Sequence, residues 1–74
     1  MKDLWKQARK YGKVRLGTTD NGTYFAALEF NTPKHTTIKV GTSFDHTEPE
    51  YALGELILNA QEALQLALSL EAPK

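Results

Sequence analysis

The sequence predicts an α+β fold of two layers, ordered α-β-β-β-α, in which a three-stranded antiparallel meander packs on a long C-terminal helix. Three observations carry that prediction. Apolar residues recur at three- and four-residue spacing through residues 47–70, as on a helix with one buried face. Between residues 13 and 42 the spacing switches to two, the period of half-buried strands. Two groups of turn formers, Asp20-Asn21-Gly22 and Asn31-Thr32-Pro33-Lys34, divide that middle section in three.

Residues 3–11 read as a short helix ended by Gly12, a residue suited to the left-handed position that follows a helix. Leu4, Trp5, Ala8 and Tyr11 fall on one side of it, and Lys2, Lys6, Arg9 and Lys10 on the other. A helix this short is marginal in water unless it is packed. Trp5 is therefore expected to be buried.

The register of the first hairpin follows from residue types. A two-residue Asn21-Gly22 turn sets Val14 opposite Glu29 and Leu16 opposite Ala27, which mixes the faces. A three-residue Asp20-Asn21-Gly22 loop, with Gly22 left-handed, instead pairs Thr19 with Thr23, Leu16 with Ala26 and Val14 with Leu28. The same register sets Lys13 beside Glu29 and Phe25 across from Gly17, both favourable cross-strand pairs. The three-residue loop is the prediction.

The third strand covers residues 36–42, with Ile38 and Val40 inward and Thr37 and Lys39 outward. Gly41 allows a bulge or a close approach at the edge. Phe44 is expected to close one end of the core, and Asp45 and His46 lead into the last helix. One face of the sheet, built from Val14, Leu16, Tyr24, Ala26, Leu28, Phe30, Ile38 and Val40, then packs on that helix. The other face carries Lys13, Arg15, Phe25, Ala27, Glu29, Thr37 and Lys39, and antiparallel sheets tolerate water on one side.

The last helix opens at Thr47-Glu48-Pro49-Glu50, which reads as a capping box with Thr47 as N-cap, Glu50 reaching back and Pro49 in the first turn. Leu53, Leu56, Ile57, Ala60, Leu64, Ala67 and Leu68 form its core face. Leu58, Leu66 and Leu70 lie off that stripe, alternating with Glu55, Asn59, Glu62, Gln65 and Ser69 on the solvent side. Two readings of the surplus leucine stand side by side. Either the first helix or a curved sheet covers it, or it is an interface with a second copy or another protein. Gly54 marks a close backbone crossing or a tolerated weak point, which costs about 1 kcal/mol relative to Ala.

A chain of 74 residues is expected to form a single small domain over residues 1–74, too small for a substrate domain plus a cofactor domain. It contains no cysteine, which excludes disulfides and thiolate metal sites. With no signal peptide and no apolar run of membrane-spanning length, the expected location is the cytoplasm, with no membrane partner. Net charge is zero, yet unevenly spread. Residues 1–40 carry eight Lys or Arg against three acids, a surplus of +5, and residues 41–74 carry six acids against one Lys, a surplus of −5. Such asymmetry hints at a polyanionic partner.

No catalytic, metal or cofactor site is predicted. His35 and His46 have no partner at metal-ligand spacing. Ser43, Asp45 and His46 are neighbours in sequence, whereas a triad is defined by geometry. Asp20-Asn21-Gly22 lacks the alternating oxygen ligands and closing Glu of a calcium loop, and the glycines form no phosphate-binding loop.

The order of elements resembles that of double-stranded-RNA-binding domains. That likeness implies phosphate contacts from a lysine-rich start to the second helix, where this chain has the acidic Thr47-Glu48-Pro49-Glu50. The β-β-β-α portion is similar to the HicB antitoxin fold and to AP2-type and integrase arm-binding domains. Asp20-Asn21-Gly22-Thr23-Tyr24 and Ala60-Gln61-Glu62-Ala63-Leu64 carry the HicB likeness. None of these likenesses assigns a family, and fold-level analogy does not assign function.

Two functions follow as expectations. The favoured one is a small non-catalytic regulatory protein, of the size class of antitoxins and phage-encoded inhibitors, that binds another protein or itself through Leu58, Leu66, Leu70, Glu55 and Glu62. The alternative is a nucleic-acid-binding accessory module in which Lys2, Lys6, Arg9, Lys10, Lys13, Arg15 and Lys39 neutralise phosphates and Phe25 offers a stacking surface.

Overall fold

The computed structural model describes residues 2–71. Its elements run α1 (Lys2–Arg9), β1 (Lys13–Thr18), β2 (Tyr24–Asn31), β3 (Thr37–Gly41) and α2 (Pro49–Glu71). The strands form one antiparallel sheet in the order β1-β2-β3, and both helices pack against its inner face to give the α+β architecture.

The first hairpin takes the three-residue loop. Lys13 pairs with Glu29, Val14 with Leu28, Leu16 with Ala26 and Gly17 with Phe25. Gly22 is left-handed at φ 79°, and the Thr19 N–H donates to the Thr23 carbonyl at 2.8 Å. Between β2 and β3, Leu28 pairs with Val40 and Phe30 with Ile38. Period-two patterning thus places every predicted inward residue toward the helices, with Ala26, Leu28 and Phe30 buried and the flanking strands half-buried.

On the helical side, Ala52, Leu53, Leu56, Ile57 and Ala60 fill the core, and Ala8 of α1 reaches it with no exposed surface. Leu4, Trp5 and Tyr11 pack against this core and are half-buried, so Trp5 is less enclosed than expected while α1 still owes its stability to docking. Beyond Ala60 the only buried residue of α2 is Ala67. Leu68, expected in the core, is 44% exposed because the last turns of the helix run past most of the sheet.

Three local expectations are corrected, and the choice left open at Gly54 is narrowed to a tolerated weak point. Helix α1 ends at Arg9, and Gly12 is not among the left-handed residues. Gly12 is needed for space, since a Cβ there would fall on the Glu29 carbonyl of β2. Helix α2 begins at Pro49, and the Glu48 carbonyl accepts from the N–H groups of Tyr51 at 3.2 Å and Ala52 at 3.3 Å. Glu48 is therefore the N-cap in place of Thr47. The cause is Pro49, which restricts the residue before it to an extended backbone, the conformation of an N-cap and not of a first helical residue. Phe44 does not close the core and is 71% exposed, because its loop is tied down on either side by Ser43 and His46. Gly54 has nothing within 4 Å of a Cβ position, so no backbone crosses there.

Candidate functional site

Position on a 3.6-residue helix decides which α2 side chains reach solvent. Leu53 and Leu56 are fully buried, while Leu58 and Leu66 on the opposite flank are each 62% exposed. Leu70, Tyr51 and Glu62 are exposed as well. Neither α1 nor the sheet covers this flank. Tyr51 went unremarked in the sequence, although its seven-residue separation from Leu58 places the two on one line of the helix.

Glu55 differs from its expected place on the solvent side. Its Oε2 accepts hydrogen bonds from the Ser43 N–H at 2.6 Å and from Asn59 Nδ2 at 3.0 Å, and its Oε1 lies 2.6 Å from His46 Nε2. Partial burial pushes the Glu55 carboxyl up, but the Ser43 N–H, His46, Asn59 and the Phe44 N–H outweigh that and bring it from 4.5 down to about 2. His46 is anchored on its other side by reciprocal backbone bonds with Tyr24, at 2.7 and 2.8 Å. The segment between β3 and α2 is thereby clasped to both layers. Phe44, carried on that segment next to Ser43, is exposed.

The clasp gathers Ser43, His46 and an acid, yet not as a nucleophile and base. Ser43 contributes its backbone N–H, and among the described residues its hydroxyl makes no hydrogen bond to His46. The same described residues contain no group of three His, Cys, Asp or Glu placed to hold a metal ion. Sequence spacing alone did not reveal the clasp. Glu55 and Asn59 stand one helical turn apart, but their partners come from a loop whose path only the tertiary structure sets.

The outer face of the sheet is a second surface. Its rows follow from the register: Lys13, Glu29 and Lys39 lie side by side on β1, β2 and β3, and Arg15, Ala27 and Gly41 form the next row. Small residues flanked by long ones leave a shallow concavity of about 470 Å³ floored by Ala27 and Gly41. Phe25 stands one row beyond it, paired with Gly17 and outside the lining. Its ring lies over Gly17, where a Cβ would collide with it, and it remains 41% exposed. At the edge, Asn59 Nδ2 donates to the Gly41 carbonyl at 3.0 Å and so satisfies part of the open side of β3.

The basic residues grouped by the sequence separate in space. Lys6 and Arg9 are exposed on α1, and Lys10 in the turn that follows it, in the helical layer. Lys13, Arg15 and Lys39 face out from the opposite side of the sheet. The side chain of Lys2 lies outside the described residues. No described helix is long and apolar enough to cross a membrane. Comparison of the chain with protein-family models, with curated proteins and with solved structures finds no match in any of the three.

Proposed function

We propose that the chain is a small, non-catalytic, cytoplasmic regulatory protein that acts by binding another protein or a second copy of itself through the outer flank of α2. The observation that carries this reading is the 62% exposure of both Leu58 and Leu66 on a helix whose opposite flank is fully packed. Burying one leucine is worth about 1.5–3 kcal/mol. Association forfeits at least about 4 kcal/mol of translational and rotational freedom. Two leucines, at about 3–6 kcal/mol together, leave little surplus over that cost, and Phe44, Tyr51 and Leu70, all exposed, add further apolar area. Glu62 lies among them and serves as a polar rim contact that selects the partner.

The test is the mass in solution, by light scattering across a range of concentrations, of the wild type and of the Leu58→Ser, Leu66→Ser double variant. Self-association that the double variant abolishes, with its circular dichroism and melting unchanged, is the expected result for a homodimer. A monomer at every concentration, together with no partner whose binding depends on these leucines, overturns the proposal. Loss of the fold in the double variant would place both side chains in the core instead.

A further inference from the structure

We infer that the outer face of the sheet binds single-stranded nucleic acid, with Lys13, Arg15 and Lys39 taking the phosphates and Phe25 stacking a base. The inference does not rest on the α2 surface and stands or falls separately from it.

Charge selects the ligand. The concavity is rimmed by three cations and one anion, Glu29, and no ion pair within 4.0 Å ties Glu29 to either neighbouring lysine. The chain as a whole is neutral, but Glu48 and Glu50, at the start of α2, sit in the layer behind the sheet, and Glu62 reaches only the β3 edge, where it lines a separate groove with Lys39. The layers of such a fold are about 10 Å apart, and charges are screened over about 8 Å at physiological salt. A ligand on the outer face therefore meets the local surplus of cations.

Spacing selects the strandedness. Lys13 and Lys39 are separated by β2 alone, which puts their Cα atoms roughly 10 Å apart. Arg15 stands two residues along from Lys13, roughly 7 Å away. Long side chains on that frame can follow successive phosphates of a flexible strand across the Ala27 and Gly41 floor. Phe25, one row beyond Arg15, offers a ring for which a duplex, with its bases already stacked inside, has no partner. The shallow form of the concavity suits a strand laid across it better than an enclosed mononucleotide.

The experiment is a fluorescence anisotropy titration of the full chain with a short fluorescein-labelled oligothymidylate, repeated between roughly 50 and 200 mM salt. Binding should weaken with salt, with a log–log slope of about −2 for three phosphate contacts on a single strand. Lys39→Gln should shorten that slope by about 0.7. Phe25→Leu, which keeps a side chain over Gly17, should weaken binding about tenfold with the slope unchanged. Glu29→Gln, which removes the anion, should tighten it severalfold. A Lys6→Gln, Arg9→Gln, Lys10→Gln variant should bind as the wild type does. The inference is overturned by no binding at the lowest salt, by equal affinity for duplex, or by loss of binding in the α1 variant. Equal affinity for polyglutamate, insensitive to Phe25→Leu, would also overturn it and identify an acidic protein as the ligand.

Discussion

Gly22 and His35 occupy the same position of the same turn, at φ 79° and φ 65°. In the first hairpin Thr19 N–H donates to the Thr23 carbonyl, Gly22 N–H to the Thr19 carbonyl, and Thr23 N–H to the Thr19 hydroxyl. In the second, Thr32, His35 and Thr36 repeat these three bonds at 2.9, 2.8 and 3.1 Å, the last onto the Thr32 hydroxyl. Each turn thus begins and ends with threonine and requires a left-handed third loop residue. Glycine meets that requirement without steric cost; histidine does not. Replacing His35 by Gly should therefore stabilise the domain by about 0.5–1 kcal/mol, after the greater freedom of glycine in the unfolded chain is allowed for. Gly22→Ala should destabilise it by about 1 kcal/mol. Urea midpoints with unchanged slopes check both, and a lower midpoint for His35→Gly would show that the imidazole contributes more than its backbone costs.

The clasp around Glu55 makes stability depend on acid. The carboxyl titrates at about 2 in the folded chain against its ordinary 4.5, so the folded state favours the charged form. The resulting stabilisation is fully present above about pH 4.5 and is lost as pH falls through about 2. Its size is on the order of 2 kcal/mol, as for hydrogen bonds to a charged acceptor that water partly reaches. Glu55→Gln should remove this share of the acid sensitivity and lower stability near neutral pH by a similar amount. Melting temperatures of both proteins between about pH 2 and 7 provide the check. Parallel pH profiles would show that another carboxylate is responsible.

Two glycines should respond to alanine with opposite signs. At Gly12 a Cβ would fall on the Glu29 carbonyl, a backbone atom that moves only if β2 moves. Gly12→Ala should therefore cost about 2–3 kcal/mol, in the range of overpacked cores. At Gly54, inside α2, a Cβ meets nothing within 4 Å. Gly54→Ala should stabilise the domain by about 0.8–1 kcal/mol through helix propensity alone. Thermal melts of the two variants distinguish the mechanisms, and a destabilising Gly54→Ala would require a neighbour close to that turn of α2.

Much of the fold was legible because it follows from short-range rules. The register of β1 on β2 came from asking which loop length keeps Val14 and Leu16 on the face of Leu28 and Ala26, and the observed pairing is that one. Helical angle put Leu58 and Leu66 off the core stripe, but whether α1 or the sheet covered them depended on where those elements dock, and both leucines are exposed. The Glu48 cap was legible too, through the restriction that Pro49 places on its predecessor, but the Thr47-to-Glu50 pattern drew attention one residue too early. Glu55, Ser43 and His46 were not legible as a group, since a carboxylate on a polar helix face looks the same whether it meets water or a loop. The division of the basic residues between α1 and the outer sheet face depends on which side of the sheet α1 docks, and charge counting carries no information on that.

The start of α2 offers the last prediction. With Glu48 as N-cap and Pro49 as the first helical residue, the first free N–H groups of the helix lie beyond the reach of Thr47, which makes no capping bond among the described residues. Thr47→Ala should accordingly change stability by less than about 0.5 kcal/mol. Glutamate is a long side chain for an N-cap, and the residues that cap best are Ser, Asp and Asn, whose oxygens sit two bonds (Ser) or one bond (Asp, Asn) closer to the backbone. Glu48→Ser should add about 0.5–1 kcal/mol by bonding the Glu50 N–H, the first donor of the helix after Pro49. Denaturant midpoints for the two variants separate the alternatives. A loss of about 1 kcal/mol on Thr47→Ala, with no gain on Glu48→Ser, would return the capping role to Thr47 and move the start of the helix one residue earlier.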